Sequence, residues 1–494
     1  MERYILVIDE GTTGVRALIY DRQMKMIDYV YETLELYYPG PDEVEADPVE
    51  IYDKTVKVCR EVVDKCGISV DEIAGVGITT QRTSWLVWNK ETGQPLRNAV
   101  LWLDARGRHQ KQKFVDDPLF NAQYPGLAGV LPGVYMPLIL DKICDEDKVF
   151  ADEFKKDTTL YGNIDTWLIW KMTGGKVHAV SSSMISASTL YDNGQEVYSQ
   201  PLIGYFGVRN ELLPEIREES DFYGNMSAEI LGKEIPICSS IADQQSAMFS
   251  QGCVKPNTVK CTMGTGTFID INVGEDIKII PTLNNMITWK LDGKVNYLLE
   301  GMASTAGACL EWAKKSFNLF DDFSEMDDMA ESVKDHAGVY FIPALAGMIV
   351  PPYNDESARG AFMGIGPGAT RAHFIRAMLE GIAFAAVLLM EEATNIGVTI
   401  EEIKVSGGVT KSSVVMQTIA SVTGAKVVRP KSVEATALGA AETAAIKLGW
   451  MSIDDIENYL EIDKVIRPNE NSSKIKDVYS NWKKVVNRTL KWDC

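Results

Sequence analysis

The chain has 494 residues, 46% hydrophobic and 24% charged, with a mean hydropathy near zero; a single core stops growing well short of this length, so two domains are expected and a disordered polymer is excluded. Forty-nine basic and 69 acidic residues leave a net charge of −20, with the acids spread along the chain, which speaks against a nucleic-acid partner, because neutralising phosphates takes clustered Lys and Arg. No run approaches the apolar length of a membrane span, and the first residues lead into a strand pattern with no signal-peptide layout, so a cytoplasmic protein without membrane contact is expected.

Tyr4 to Ile8, the Asp9-Glu10-Gly11-Thr12-Thr13-Gly14 turn and Val15 to Tyr20 read as a tight hairpin. Asp47 offers an N-cap, Pro48 suits the first helical position and Glu50 stands where a capping box wants it, with Ile51, Thr55, Val58 and Val62 at helical spacing until Gly67. Cys59 and Cys66 fall on that helix roughly 10 Å apart, too far to bridge. The eight cysteines contain no C-x-x-C pair and the four histidines no ligand spacing, so reduced core cysteines are expected and a structural zinc site is not.

Ile73 to Thr79 and Ser84 to Trp88 read as further strands, which makes the class α/β. Near residue 250 the plan restarts: Val259 to Thr262, the turn Met263-Gly264-Thr265-Gly266-Thr267, then Phe268 to Val273. Asp9 precedes the first turn, and Thr262 holds the matching position before the second. His373 to Asn395 reads as a long apolar helix, and Ile403 to Ser406 as a strand opening into Gly407-Gly408. One boundary near residue 250 is expected, with a substrate cleft between the halves.

Paired Gly/Thr turns suit a nucleotide triphosphate, since glycines let the backbone approach and N–H groups and Thr hydroxyls meet phosphate oxygens. Two roles suit Asp9, a carboxylate at a Mg²⁺ ion or a cap of its own turn. Two also suit Asp243 in Ile241-Ala242-Asp243-Gln244-Gln245, a proton acceptor for an attacking hydroxyl or an N-cap. Gln81-Arg82-Thr83 and Leu101-Trp102-Leu103-Asp104-Ala105-Arg106 suit a polyhydroxylated ligand, or an internal Arg82–Asp104 ion pair beside a core tryptophan.

Taken together these residues resemble the FGGY carbohydrate kinases of the actin-like ATPase superfamily, and within them the glycerol kinase branch, over essentially the whole chain. The most specific stretches are Gly360-Ala361-Phe362-Met363-Gly364-Ile365 followed by His373-Phe374-Ile375-Arg376-Ala377-Met378-Leu379-Glu380. Asp165 to Trp170, Ala242 to Gly266 and Ala437 to Ala441 are similar as well.

The resemblance implies two actin-like (ribonuclease H-like) domains, each a mixed sheet flanked by helices, with residues 1–250 on the substrate and Mg²⁺/phosphate side and 251–494 on the nucleotide side. It implies ATP-dependent in-line phosphorylation of a terminal hydroxyl of glycerol or a related polyol or sugar, with closure of the halves excluding water. Asp243 would be the base, Asp9 and Asp243 would stand at Mg²⁺, and Arg82, Thr83, Trp102, Asp104, Asp243 and Gln244 would meet substrate. Gly11, Thr12, Thr13, Arg16, Gly264, Thr265, Gly266, Gly307, Glu311, Gly407, Gly408 and Ser412 would line the nucleotide. A homodimer or homotetramer is expected on the same ground.

The departures fall where substrate should touch. Thr83 stands where the glycerol kinase branch carries Glu, Trp102 to Arg106 replaces a Trp-Gln-x-Arg-Arg cluster, and no tyrosine counterpart stands near Val130. Leu131 to Pro137 is closer to the xylulokinase-like branch. Losing the carboxylate weakens glycerol binding by about 1 to 3 kcal/mol unless Asp104 replaces it. The alternatives are a kinase for a four- or five-carbon polyol or ketose, an ATPase switch of the actin or chaperone type, and a degenerate kinase acting as a sugar sensor.

Overall fold

The computed structural model describes residues 3–118, 135–188, 190–431, 434–470 and 472–492. The stretch from Val130 through Val134, where a substrate-facing tyrosine was sought, and Cys494 lie outside the described residues. The chain forms two compact units, one of residues 1–250, 287–295 and 434–459, the other of 251–286, 296–433 and 460–494. The first cut falls after Ser250, and neither unit is one continuous stretch.

The first unit is built on a six-stranded sheet whose order is Met26–Thr33, Gly14–Asp21, Tyr4–Gly11, Ile73–Thr80, Ile235–Ala242 and Asn225–Met226. The first three strands pair antiparallel, the next two join them in parallel, and the last is antiparallel again. The second sheet repeats the scheme with Lys294–Ala303, Thr267–Gly274, Thr258–Met263, Glu402–Ser406, Lys426–Pro430 and Ile462–Ile466, and adds Asn284–Leu291 outside the first of these. Repeated order and repeated direction identify two actin-like, ribonuclease H-like domains. The four-residue repeat of apolar positions after Asp47 becomes the helix Pro48–Cys66, capped by the Asp47 side chain on Val49 N–H and ended by Gly67 in the left-handed region at φ 62°. Glu50 forms no capping box; it accepts from the Glu35 N–H and pairs with Lys54 at 2.5 Å.

The helix Arg371–Asn395 is long and apolar enough to cross a bilayer, against the expectation that no run is, but 83% of its apolar window is buried. It is the central core helix of the second unit, with Leu379, Ala383, Ala386 and Leu389 fully enclosed. Its lack of a polar face therefore reflects burial on all sides. The seven described cysteines are all unpaired, and burial raises the thiols of Cys59, Cys253 and Cys261 to about 12.

In the first unit the helix Ala435–Lys447 packs on Asp243–Ser250. Gly439 permits the approach, because a Cβ there would lie 2.0 Å from the Ser246 carbonyl oxygen, and Ser246 Oγ donates to the Thr436 carbonyl at 2.6 Å. Gly439→Ala should destabilise the protein by roughly 1–3 kcal/mol through overpacking, read as a lower thermal midpoint; an unchanged midpoint would contradict this helix contact.

Candidate active site

In the first unit, the parallel strands Tyr4–Gly11, Ile73–Thr80 and Ile235–Ala242 are registered so that Glu10 stands opposite Thr80, and Thr80 opposite Ala242. Their carboxyl ends are level, and open α/β sheets bind ligands at that edge. Each strand leads into polar residues there: Gly11 to Thr13, Gln81 to Thr83 and Asp243 to Gln245. Asp243 is the first residue of its helix, and its Oδ1 accepts the Gln244 N–H at 2.8 Å with Arg82 Nε at 3.7 Å.

Asp9 is buried. Its hairpin partner Arg16 donates to Asp9 Oδ2 from Nε at 3.0 Å and from Nη2 at 2.8 Å, while Arg16 Nη1 reaches Glu434. Burial pushes the Asp9 carboxyl up to about 6; Arg16 pulls it down, and the nearby charge of Asp243 adds to the rise. Gln81 ties the loops together: its Nε2 donates to Glu10 Oε1 at 2.9 Å, and its Oε1 accepts from Ser84 Oγ at 3.0 Å and Thr12 Oγ1 at 3.3 Å. Thr12 Oγ1 accepts in turn from Trp102 Nε1 at 2.8 Å, which holds a ring that stays 37% exposed.

In the second unit the matching register position carries no acid. Thr262 stands opposite Ser406, with their hydroxyls 3.2 Å apart, at the register position that Asp9 and Thr79 hold in the first sheet. Gly264 and Thr265 are exposed; their carbonyls accept the N–H groups of Gly307 at 2.9 Å and Ala306 at 2.8 Å. A Cβ on Gly307 would meet the Gly264 oxygen at 2.6 Å, and one on Gly407, at φ 91°, the Met263 oxygen at 2.4 Å. Only glycine fits at either place, and the backbone segments around Gly264, Gly307 and Gly407 come into close contact there.

Residues 4–250 match the N-terminal domain of the FGGY family of carbohydrate kinases, and residues 259–448 match its C-terminal domain. The chain belongs to this family. It is 36% identical to the glycerol kinase of Caldanaerobacter subterraneus subsp. tengcongensis, over 100% of this chain and 99% of that one. The crystal structure of Plasmodium falciparum glycerol kinase with ADP superposes with a TM-score of 0.92 at 29% identity, covering 99% of this chain and 98% of that chain. A ligand-bound xylulose kinase from Lactobacillus acidophilus shares the fold, with a TM-score of 0.87 at 21% identity over 98% of both chains. Membership makes the protein a phosphotransferase with an alcohol acceptor and ATP as its phosphate donor.

Of the residues singled out from the sequence, Asp9, Gly11, Thr12, Thr13, Arg16, Arg82, Thr83, Trp102, Asp243 and Gln244 belong to the first unit, and Gly264, Thr265, Gly266, Gly307, Glu311, Gly407, Gly408 and Ser412 to the second. Asp104 is a correction. It does not pair with Arg82; it is fully buried, holds Arg106 Nη2 at 2.7 Å and accepts the Val44 N–H at 2.8 Å. With both oxygens engaged it has no surface to offer a substrate. Ser412 caps the helix Ser413–Thr423 through the Val415 N–H and donates to Asp327, and Glu311 pairs with Lys315 at 3.1 Å. Trp102 is a surface ring, not core.

Glu10 was missed. It is fully buried, its Oε2 has no partner among the described residues, and burial raises its carboxyl to about 8. The only sequence signal was an acid at the end of an apolar strand. An unfolded glutamate releases its proton near 4.5, whereas Glu10 in the folded protein keeps it to about 8. Across that window the unfolded state binds fewer protons, so this group makes stability fall as pH rises, with no contribution below the window and a constant loss above it. Glu10→Gln should flatten that decline, gaining on the wild type between pH 5 and 8 in urea-unfolding series; parallel profiles would show that Glu10 is ionised in the folded state.

Proposed function

We propose that the protein transfers the terminal phosphoryl group of ATP to a terminal hydroxyl of a polyol or sugar, with Asp243 as general base. The observation that carries this reading is the convergence of Asp9, Arg82 and Asp243 at the level ends of parallel strands in one sheet. As the acceptor oxygen bonds to phosphorus and the bond to the ADP oxygen breaks, the hydroxyl proton passes to the Asp243 carboxylate. Arg82, 3.7 Å from that carboxylate, helps to orient it toward the acceptor hydroxyl. The exposed ring of Trp102, fixed by Thr12, offers a face for the CH groups of the acceptor.

Asp9 and Asp243 fit a Mg²⁺ ion. Their charges interact across the site, and Mg²⁺ needs only one or two protein carboxylates because it keeps waters and phosphate oxygens. No cluster of three or more His, Cys, Asp or Glu able to hold a metal occurs among the described residues. When bound, the ion would neutralise charge on the transferring phosphates. The glycine-rich backbone of Gly264, Thr265, Gly266, Gly307, Gly407 and Gly408 is our candidate for the nucleotide. Glycerol is the acceptor of the two glycerol kinases named above, while Thr83 favours a larger one. A cytoplasmic homodimer or homotetramer is the working form expected from the family.

Asp243→Asn should lower kcat by roughly 10²- to 10⁴-fold in an ADP-release assay and leave ATP affinity nearly unchanged in calorimetry. Near-normal turnover in that variant would remove Asp243 from the mechanism.

A further inference from the structure

Directly after Arg82 the backbone does something costly. Thr83 has φ 56°, in the left-handed region, where a β-branched residue is a true outlier held only by its surroundings. It lines an enclosed cavity with Trp85, Tyr135, Asn163, Ala187 and Ser188. The cavity has room for about one water-sized group.

Trp85 and Asn163 are register partners on the antiparallel strands Trp85–Asn89 and Thr159–Asn163. Directly opposed residues send their side chains from the same face of the sheet. Tyr161, two residues before Asn163, stands on that face too, its ring 6.0 Å from that of Trp85. Asn163 Nδ2 donates to the Ser84 carbonyl at 3.1 Å, which fixes the amide and leaves Oδ1 as an acceptor. Both Asn163 Oδ1 and Trp85 Nε1 are buried and without a partner among the described residues. Buried polar atoms are nearly always bonded, so an open donor and an open acceptor on two paired residues that line one cavity call for an explanation.

One hydroxyl answers both. It accepts from an indole N–H and donates to an amide oxygen, whereas a carboxylate has no proton for Asn163 Oδ1 and a methyl group satisfies neither. We propose that this cavity is a subsite for one additional hydroxyl of the acceptor, so that the enzyme takes a polyol or ketose of four or more carbons in preference to glycerol. The inference rests on the kinase reading above. The small side chains of Thr83 and Ala187 line the space, and Thr83 directly follows Arg82, the partner of Asp243.

The test compares kcat/KM for glycerol, erythritol, threitol, xylitol, ribitol, xylulose and ribulose, with butane-1,2,3-triol as the tetritol lacking its fourth hydroxyl, and with products identified by mass. Wild type, Trp85→Phe and Ala187→Leu are assayed after circular dichroism has shown each to be folded. The best substrate of four or more carbons should exceed glycerol by roughly ten-fold or more, and butane-1,2,3-triol should lose the gain of the tetritols. Trp85→Phe, which removes the donor, and Ala187→Leu, which fills the space, should each shrink that preference by roughly ten-fold. Glycerol matching or beating every longer acceptor, in a protein that does phosphorylate it, overturns the subsite and leaves the kinase reading intact. A preference for longer acceptors that survives both substitutions also overturns it. Phosphorylation of none of these compounds overturns the kinase reading itself.

Discussion

Parallel pairing in strict register is the constraint on which the site depends. Because Glu10, Thr80 and Ala242 lie side by side across neighbouring strands, the residues that follow each strand must emerge at one edge, however far apart they are in the chain. Asp9, Arg82 and Asp243 meet for this reason, and a slip of one residue in either pairing would turn a side chain to the opposite face. The second sheet obeys the same geometry with Thr262 and Ser406, so one scaffold is used twice with different chemistry. The first edge carries acids and an arginine, and the second carries glycine backbone and hydroxyls.

Burial sets the electrostatics of the first edge more than ion pairing does. Asp9, Glu10, Asp165 and Glu219 are all fully buried carboxyls raised by loss of solvent, to about 6, 8, 6 and 7. Hydrogen bonds oppose the rise: Ser240 Oγ bonds Asp165 at 2.9 Å, Ser182 Oγ bonds Glu219 at 2.9 Å, and Arg16 holds Asp9. Asp243 stands at the site edge, with more than a quarter of its side chain exposed. A proton acceptor must be reachable by its substrate, and this exposure is what suits Asp243 to the proposed role.

Local signals in the sequence were strong where a structural element carries its own pattern. The two Gly/Thr hairpins, the capped helix Pro48–Cys66 and the strand before Asp243 follow from spacing and turn residues, and the C-terminal signature was specific enough to indicate the family. Register and partner choice were not legible. The sequence suggested an Arg82–Asp104 ion pair, whereas the fold pairs Asp104 with Arg106, two residues away, and sets Arg82 against Asp243. The Trp85–Asn163 pair joins residues 78 positions apart, and neither residue type announces an unsatisfied atom. The return of residues 434–459 to the first unit is likewise invisible to periodicity, since an alanine-rich helix packs equally well on many surfaces.

The most direct measurement is ³¹P nuclear magnetic resonance of the wild-type protein with ATP, Mg²⁺ and each candidate acceptor in turn. A phosphomonoester signal that grows in step with ADP, and only when a polyol or ketose is present, is the expected result. Inorganic phosphate appearing in its place, at a rate indifferent to any acceptor, would contradict phosphoryl transfer at this site.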